Sequence, residues 1–173
     1  MGQGGEDAGV GPETGSAPLA HVGWKSVESF DMDPVFRLQF RVTDEAVDTN
    51  RHVNNVVYVK WMQDAAIAHA EACGGGRLAR ELGGSWFVRM QRIEYLKPAF
   101  LNDEIIVLTW VANWRKVKSL RRYRFVRNET LLAEGETDWV FVDAATGRPK
   151  LITERIVSAF GVAPERPAPM SNV

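Results

Sequence analysis

The stretch VDTNRHVNNVVYVKWMQDAAIAHAEAC, residues 47–73, changes character part-way along. Residues 47–55 carry an Asp, a His and three Asn, and the run from Asn55 to Cys73 has no Gly or Pro and few charges. In that run Tyr58, Met62, Ala65, Ala66 and His69 recur at helical spacing, and so do Trp61, Ala65 and Ala68. The apolar surface extends most of the way round, which predicts a central helix rather than a peripheral one. Asn54 suits the N-cap, because its side chain can accept from an orphan backbone N–H. The helix should therefore begin at Asn55. CGGG at 73–76 should stop it, since Gly accepts the left-handed cap.

Outward from this helix the period changes from 3.6 to two. VFRLQFRVT (35–43) sets Phe36, Leu38, Phe40 and Val42 against Arg37, Gln39 and Arg41, the pattern of a strand with one buried face. RLARELGG (77–84) adds a short helical turn after the glycines. Beyond Ser85, SWFVRMQRIEYLKP, DEIIVLTWVANWR, KSLRRYRFVRN and TLLAEGETDWVFVDAAT read as four successive strands. Turn chemistry separates them at Pro98 to Asp103, in the Asn113–Lys116 region and at Asn128–Thr130. Short links favour antiparallel hairpins. TERIVSAFG (153–161) suggests a final short helix capped by Thr153. This order predicts an α+β fold, an antiparallel sheet wrapped around one long central helix.

The 173 residues hold 45% hydrophobic side chains, enough for one packed domain. Composition places the folded unit at 34–162. Residues 1–33 are rich in Gly, Pro, Ala and acids and read as a disordered tail, and 163–173 as a flexible one. The N-terminal segment has neither a basic start nor a continuous apolar core, so it does not read as a signal peptide. A net charge of −1 gives no electrostatic footprint for nucleic acid, and no apolar run is long enough for a membrane span. One cysteine, Cys73, excludes an internal disulfide and suits a reducing, cytoplasmic setting. His21, His69 and Cys73 have no metal-ligand spacing, so no metal is expected. G-x-S-x-G, G-x-G-x-x-G and P-loop patterns do not occur.

The polar opening of the quoted stretch admits two readings. In the plain one, Asp48 forms a turn and the Asn pair caps a helix. In the other, the helix start is a site. Its first N–H groups lack helical partners, and the dipole adds positive potential, so it can hold a developing oxyanion. Asp48, seven residues before Asn55, can fold back to attack a carbonyl or to deprotonate water. Asn50 can orient the water or the carbonyl. His52 can orient Asp48 or donate to a leaving group. Such a set supplies what acyl transfer requires.

The order strand, DTNRHVNNVVYVKWMQDA, then IEYLKPAFLNDEIIV resembles the hot-dog-fold thioesterases of the 4-hydroxybenzoyl-CoA thioesterase type, over roughly residues 35–160. D-x-N-x-H-V-N-N is also similar to the plant acyl-ACP thioesterases. The resemblance implies that Asp48 is the catalytic carboxylate and that the Asn55 backbone N–H contacts the thioester carbonyl. It matches Asn50 and His52 to the Asn and His of the plant motif. In the hot-dog thioesterase pattern the motif runs on as D-x-N-x-H-V-N-N-x-x-Y to Tyr58, which joins Trp61 and Met62 as candidates for binding the acyl group, with core packing as the competing role. The plant enzymes place a further acid or Cys soon after their L-E-Y strand. Here that region reads Pro98-Ala99, so Asp48 must carry more of the chemistry.

The implied reaction is hydrolysis of an acyl-CoA or acyl-ACP thioester, with no cofactor. The implied assembly is a homodimer or homotetramer with sites at subunit boundaries, which also covers sheet edges. Arg115, Lys116 and Lys118, with Arg121 and Arg122, cluster at one hairpin and are candidates for CoA phosphates or an acidic carrier protein. The competing role is a solvated charged face. Two rivals remain. A hot-dog hydratase resembles D-x-N-P-[IL]-H, whereas His52 follows Asp48 by four positions with no Pro between. A non-catalytic acyl-thioester binding module is the other.

Overall fold

The computed structural model describes residues 34–161. The expected tails, and residue 162, lie outside the described residues. The elements are β1 (Phe36–Arg41), a 3-10 turn (Asp44–Ala46), α1 (Asn55–Ala72), α2 (Gly75–Glu81), β2 (Gly84–Tyr95), β3 (Glu104–Arg115), β4 (Lys118–Arg127), β5 (Thr130–Asp143) and α3 (Glu154–Phe160). The strands form one antiparallel sheet in the order β1-β3-β4-β5-β2.

α1 begins and ends where the sequence indicates. Asn54 is its N-cap, and its side chain accepts from the Val56 N–H. Gly74 adopts φ 73° and turns the chain out of the helix. Gly75 does not help to stop α1; it opens α2. A β-carbon there would collide with the Phe160 ring, so the glycine lets α2 press against α3.

One face of the sheet wraps α1 in the expected hot-dog arrangement. Phe36, Leu38 and Phe40 of β1, Ile105 and Val107 of β3, Tyr123 and Phe125 of β4, and Leu132 and Ala133 of β5 surround Tyr58, Trp61, Met62, Ala65 and Ala66. Each large side chain so buried contributes about 1.5–3 kcal/mol. None of the described helices is long and apolar enough to cross a membrane.

Three details differ from the sequence reading. β2 and β3 follow one another but do not pair. β2 lies at the sheet edge against β5, while β3 pairs with β1 and β4. The β3–β4 hairpin keeps the strand ends read from the sequence, Arg115 and Lys118, but its turn falls at Lys116–Val117 and not in the Asn113–Lys116 region. Thr153 is the N-cap residue of α3, yet its side chain makes no capping bond. The β4–β5 turn falls at Asn128–Glu129, where both residues take positive φ, as a tight two-residue hairpin needs. The two ends of the described unit lie close together, since a β-carbon added at Gly161 would lie 3.5 Å from the Pro34 Cβ.

Candidate active site

Residues 47–53 form a loop closed at its neck. Val47 and Val53 make an isolated antiparallel bridge, and the Asn54 N–H donates to the Ala46 carbonyl at 2.9 Å. Inside the neck the Asp48 N–H reaches the His52 carbonyl at 2.8 Å, and the Arg51 N–H reaches the Asp48 carbonyl at 2.9 Å. The Val53 N–H donates to the Ala99 carbonyl at 2.9 Å and ties the loop to the β2–β3 connection. The chain reverses at Arg51, whose φ of 63° is left-handed. Asp48 thus pairs with His52, three residues before α1, and lies outside the lining of the cleft at the helix start. Its carboxylate accepts the Asn50 N–H at 2.8 Å, an Asx turn that fixes the carboxyl plane.

At the helix start Asn54 is extended, with φ −61° and ψ 135°. Its side chain takes the Val56 N–H at 3.0 Å, and its carbonyl takes the Val57 N–H at 2.9 Å. Among the described residues no acceptor takes the Asn55 N–H. This open donor borders a cleft of about 250 Å³, lined by His52, Val53, Asn55, Tyr58 and the segment from Tyr95 to Pro98. The His52 ring stands edge-on to Phe100, with centroids 5.2 Å apart. Asn50 lies at the exposed loop tip, outside the cleft lining.

Tyr58 lines the inner wall. Burial, and then the neighbouring Tyr95, push its phenol up to about 12, so it stays neutral. Trp61 and Met62 are placed differently. Trp61 packs on Phe40 and Tyr58, with centroids 4.7 and 5.1 Å apart. Met62 is fully buried, and its sulfur lies 3.0 Å from where a β-carbon on Gly135 would sit. Both belong to the core and neither lines this cleft.

The basic residues do not converge on this site within one chain. Arg115 and Lys116 are exposed and Lys118 is half-buried at the β3–β4 turn. The site loop instead meets the opposite end of β3, where Val42 and Asp103 exchange a backbone bond. At about 3.3 Å per residue, the length of β3 separates the two by roughly 36 Å.

Arg121 corrects its grouping with that cluster. Strand alternation turns it inward, only 4% exposed, where its Nη1 donates to His69 Nδ1 at 2.9 Å and to Thr109 Oγ1 at 3.1 Å. No carboxylate pairs with it among the described residues. Burial, and then the Arg121 charge, lower His69 to about 3, so its ring is neutral and accepts from the guanidinium. Burial pushes the Cys73 thiol up, which keeps it in the unreactive protonated form.

Sequence reasoning assigned no role to Tyr95. Its hydroxyl donates to the Asn55 carbonyl at 3.0 Å, and its ring stands edge-on to Tyr58 at 5.3 Å. The available signal was its place in IEYLKP, at the end of a strand that the following Pro98 brings to a turn.

Comparison with known proteins agrees with this fold. Residues 42–170 match the model of the thioesterase-like superfamily. The acyl-CoA thioester hydrolase YbgC of Escherichia coli O6:H1 is 28% identical over 130 residues, covering 73% of this chain and 96% of the relative. Among solved structures, the hypothetical protein TT1821 from Thermus thermophilus superposes with a TM-score of 0.65 at 26% identity, over 74% of this chain and 97% of that one. The probable thioesterase YbaW from Escherichia coli superposes with a TM-score of 0.66 at 17% identity, over 71% and 94%, a likeness of fold. A family match over most of the chain, on a sheet wrapped around a capped central helix, places this protein in the thioesterase-like superfamily with the hot-dog fold.

Proposed function

We propose that this protein hydrolyses an acyl-CoA thioester to a carboxylic acid and a thiol. The observation that supports this reading is the Asn55 N–H, which has no acceptor among the described residues and whose residue lines a cleft with His52, the residue that the closed loop neck pairs with Asp48. In the reaction the thioester carbonyl lies against the Asn55 N–H, which takes the developing oxyanion. Asp48 either deprotonates a water that attacks the carbonyl carbon or attacks it directly. The carbon–sulfur bond breaks and the thiolate leaves; on the base route it takes up the proton that Asp48 removed from water, and on the direct route water then hydrolyses the acyl–Asp48 anhydride to release the acid. The Asn50 N–H holds the Asp48 carboxyl in place, and His52, which lines the cleft, donates to the leaving sulfur. An acyl carrier protein is an alternative thiol carrier. The exposed Tyr95–Pro98 wall and the buried Tyr58 receive the acyl group near the carbonyl. Trp61 and Met62 define its far wall only if the core opens around them.

We infer that a second copy joins along β2. This strand is a sheet edge, and Phe87, Met90 and Leu96 on or beside it are 57%, 40% and 48% exposed. A long apolar edge is a ready template for pairing. Pairing there sets the partner beside the cleft, because Tyr95 and Leu96 belong to both.

The test is thiol release from a panel of acyl-CoAs by wild type and Asp48→Asn. The substitution keeps size and removes the base, so kcat should fall at least about 10²-fold. Turnover near wild type would remove Asp48 from the mechanism. Release of no thiol from any substrate would leave the hydratase and binding-module readings.

A further inference from the structure

The peptide joining Asn55 to Val56 is held at both ends. Its carbonyl accepts from the Tyr95 hydroxyl at 3.0 Å, and its N–H donates to the Asn54 side chain at 3.0 Å. The cap bond is ordinary helix chemistry. The other bond is not. A carbonyl at the first helical position already takes the N–H four residues on, so it needs no second donor. Tyr95 comes from the far end of β2, forty residues along the chain, to reach an acceptor that is already satisfied.

The geometry points to Tyr95 as a positioning residue: it fixes the Asn55–Val56 peptide and so, across the Asn55 α-carbon, steadies the open Asn55 N–H of the preceding peptide at the cleft. This rests on the reading of that N–H as the oxyanion donor. A donor works only when it lies about 2.7–3.1 Å from the place the oxyanion will occupy, and helix ends otherwise fray. The Tyr95 ring is itself braced edge-on against Tyr58 at 5.3 Å. Burial raises the Tyr95 phenol, which keeps it a donor throughout the neutral range. Because Tyr95 closes β2, the grip also ties the helix start to the edge at which a second copy would pair.

Tyr95→Phe removes the hydroxyl and keeps the ring on Tyr58. Two measurements on the full chain read the result. Amide hydrogen exchange at Val56 should quicken at least about threefold, because one anchor of its peptide is gone. With acyl-CoA, kcat should fall about five- to tenfold, the scale of one net hydrogen bond, with KM within about twofold and an unchanged melting temperature. The double variant Asn54→Ala/Tyr95→Phe should lose less than the product of the two single losses, since both act on one peptide. Unchanged Val56 exchange would overturn the grip. Faster exchange with wild-type kcat would overturn its catalytic meaning, and multiplicative losses would overturn the shared peptide. If wild type is inactive on every acyl-CoA, the hydrolase reading fails, and Val56 exchange decides the grip alone.

Discussion

At Asn55 the group proposed to hold the oxyanion is a backbone N–H, so replacing the side chain does not test it. Proline does. Pro is well tolerated at the first helical position, where the lost N–H has no helical partner. It also forces the preceding residue to be extended, and Asn54 already is, at φ −61° and ψ 135°. Asn55→Pro should therefore melt close to Asn55→Ala. It should lose about 2.7–4 kcal/mol of transition-state stabilisation, the scale of one oxyanion donor. Paired melts and kcat values for the two variants check this. Equal rates in two normally folded variants would place the donor elsewhere. The cap and the helix start were legible because Asn54 has a strong positional preference and acts on its own helix. Tyr95 was not, because its partner lies forty positions away and a tyrosine ending a strand has no distinguishing local chemistry.

Between α1 and β4, the His69–Arg121 contact makes a buried neutral–cation pair. The folded pKa of His69, about 3, lies below the ordinary 6.5. Below pH 6.5 the unfolded chain gains a proton that the folded one refuses, so the contribution is whole above 6.5. It is then lost as pH falls toward 3, at up to about 1.4 kcal/mol per pH unit. His69→Gln keeps an acceptor for Arg121 and removes the titration. Its melting temperature should fall less steeply than wild type between about pH 6 and about pH 4, and parallel curves would assign the acid sensitivity to other groups. The elements themselves were readable from period and turn residues. Strand partners were less so. Linker length suggested that β2 pairs with β3, yet the sheet places β2 on β5, a choice made by long-range packing. Arg121 was misgrouped for a related reason. Proximity in sequence put it with Arg115 and Lys116, while the period of two put it in the core with Ser119 and Tyr123.

Across the whole molecule, roughly 36 Å of strand separates the basic turn from the proposed oxyanion site. If Arg115, Lys116 and Lys118 hold CoA phosphates, they serve the site of a second copy. KM for acyl-CoA should then rise with salt, since exposed ion pairs are screened, while KM for an acyl-pantetheine lacking the nucleotide should barely move. Equal salt responses would return the turn to a solvated surface. The expected wrapping of one sheet around one helix was legible at this scale because a helix apolar on most sides leaves few architectures. The closeness of Gly161 to Pro34 bears on how this architecture is encoded. With its ends together, the chain order of the strands is a convenience of translation and not a requirement of the sheet. A circular permutant that bridges 161 to 34 with a short Gly-Ser linker, and opens new termini between Asn128 and Glu129, should give the same far-UV spectrum and a single cooperative melt. The fold would then be a closed circuit of contacts into which a chain can be threaded from more than one starting point.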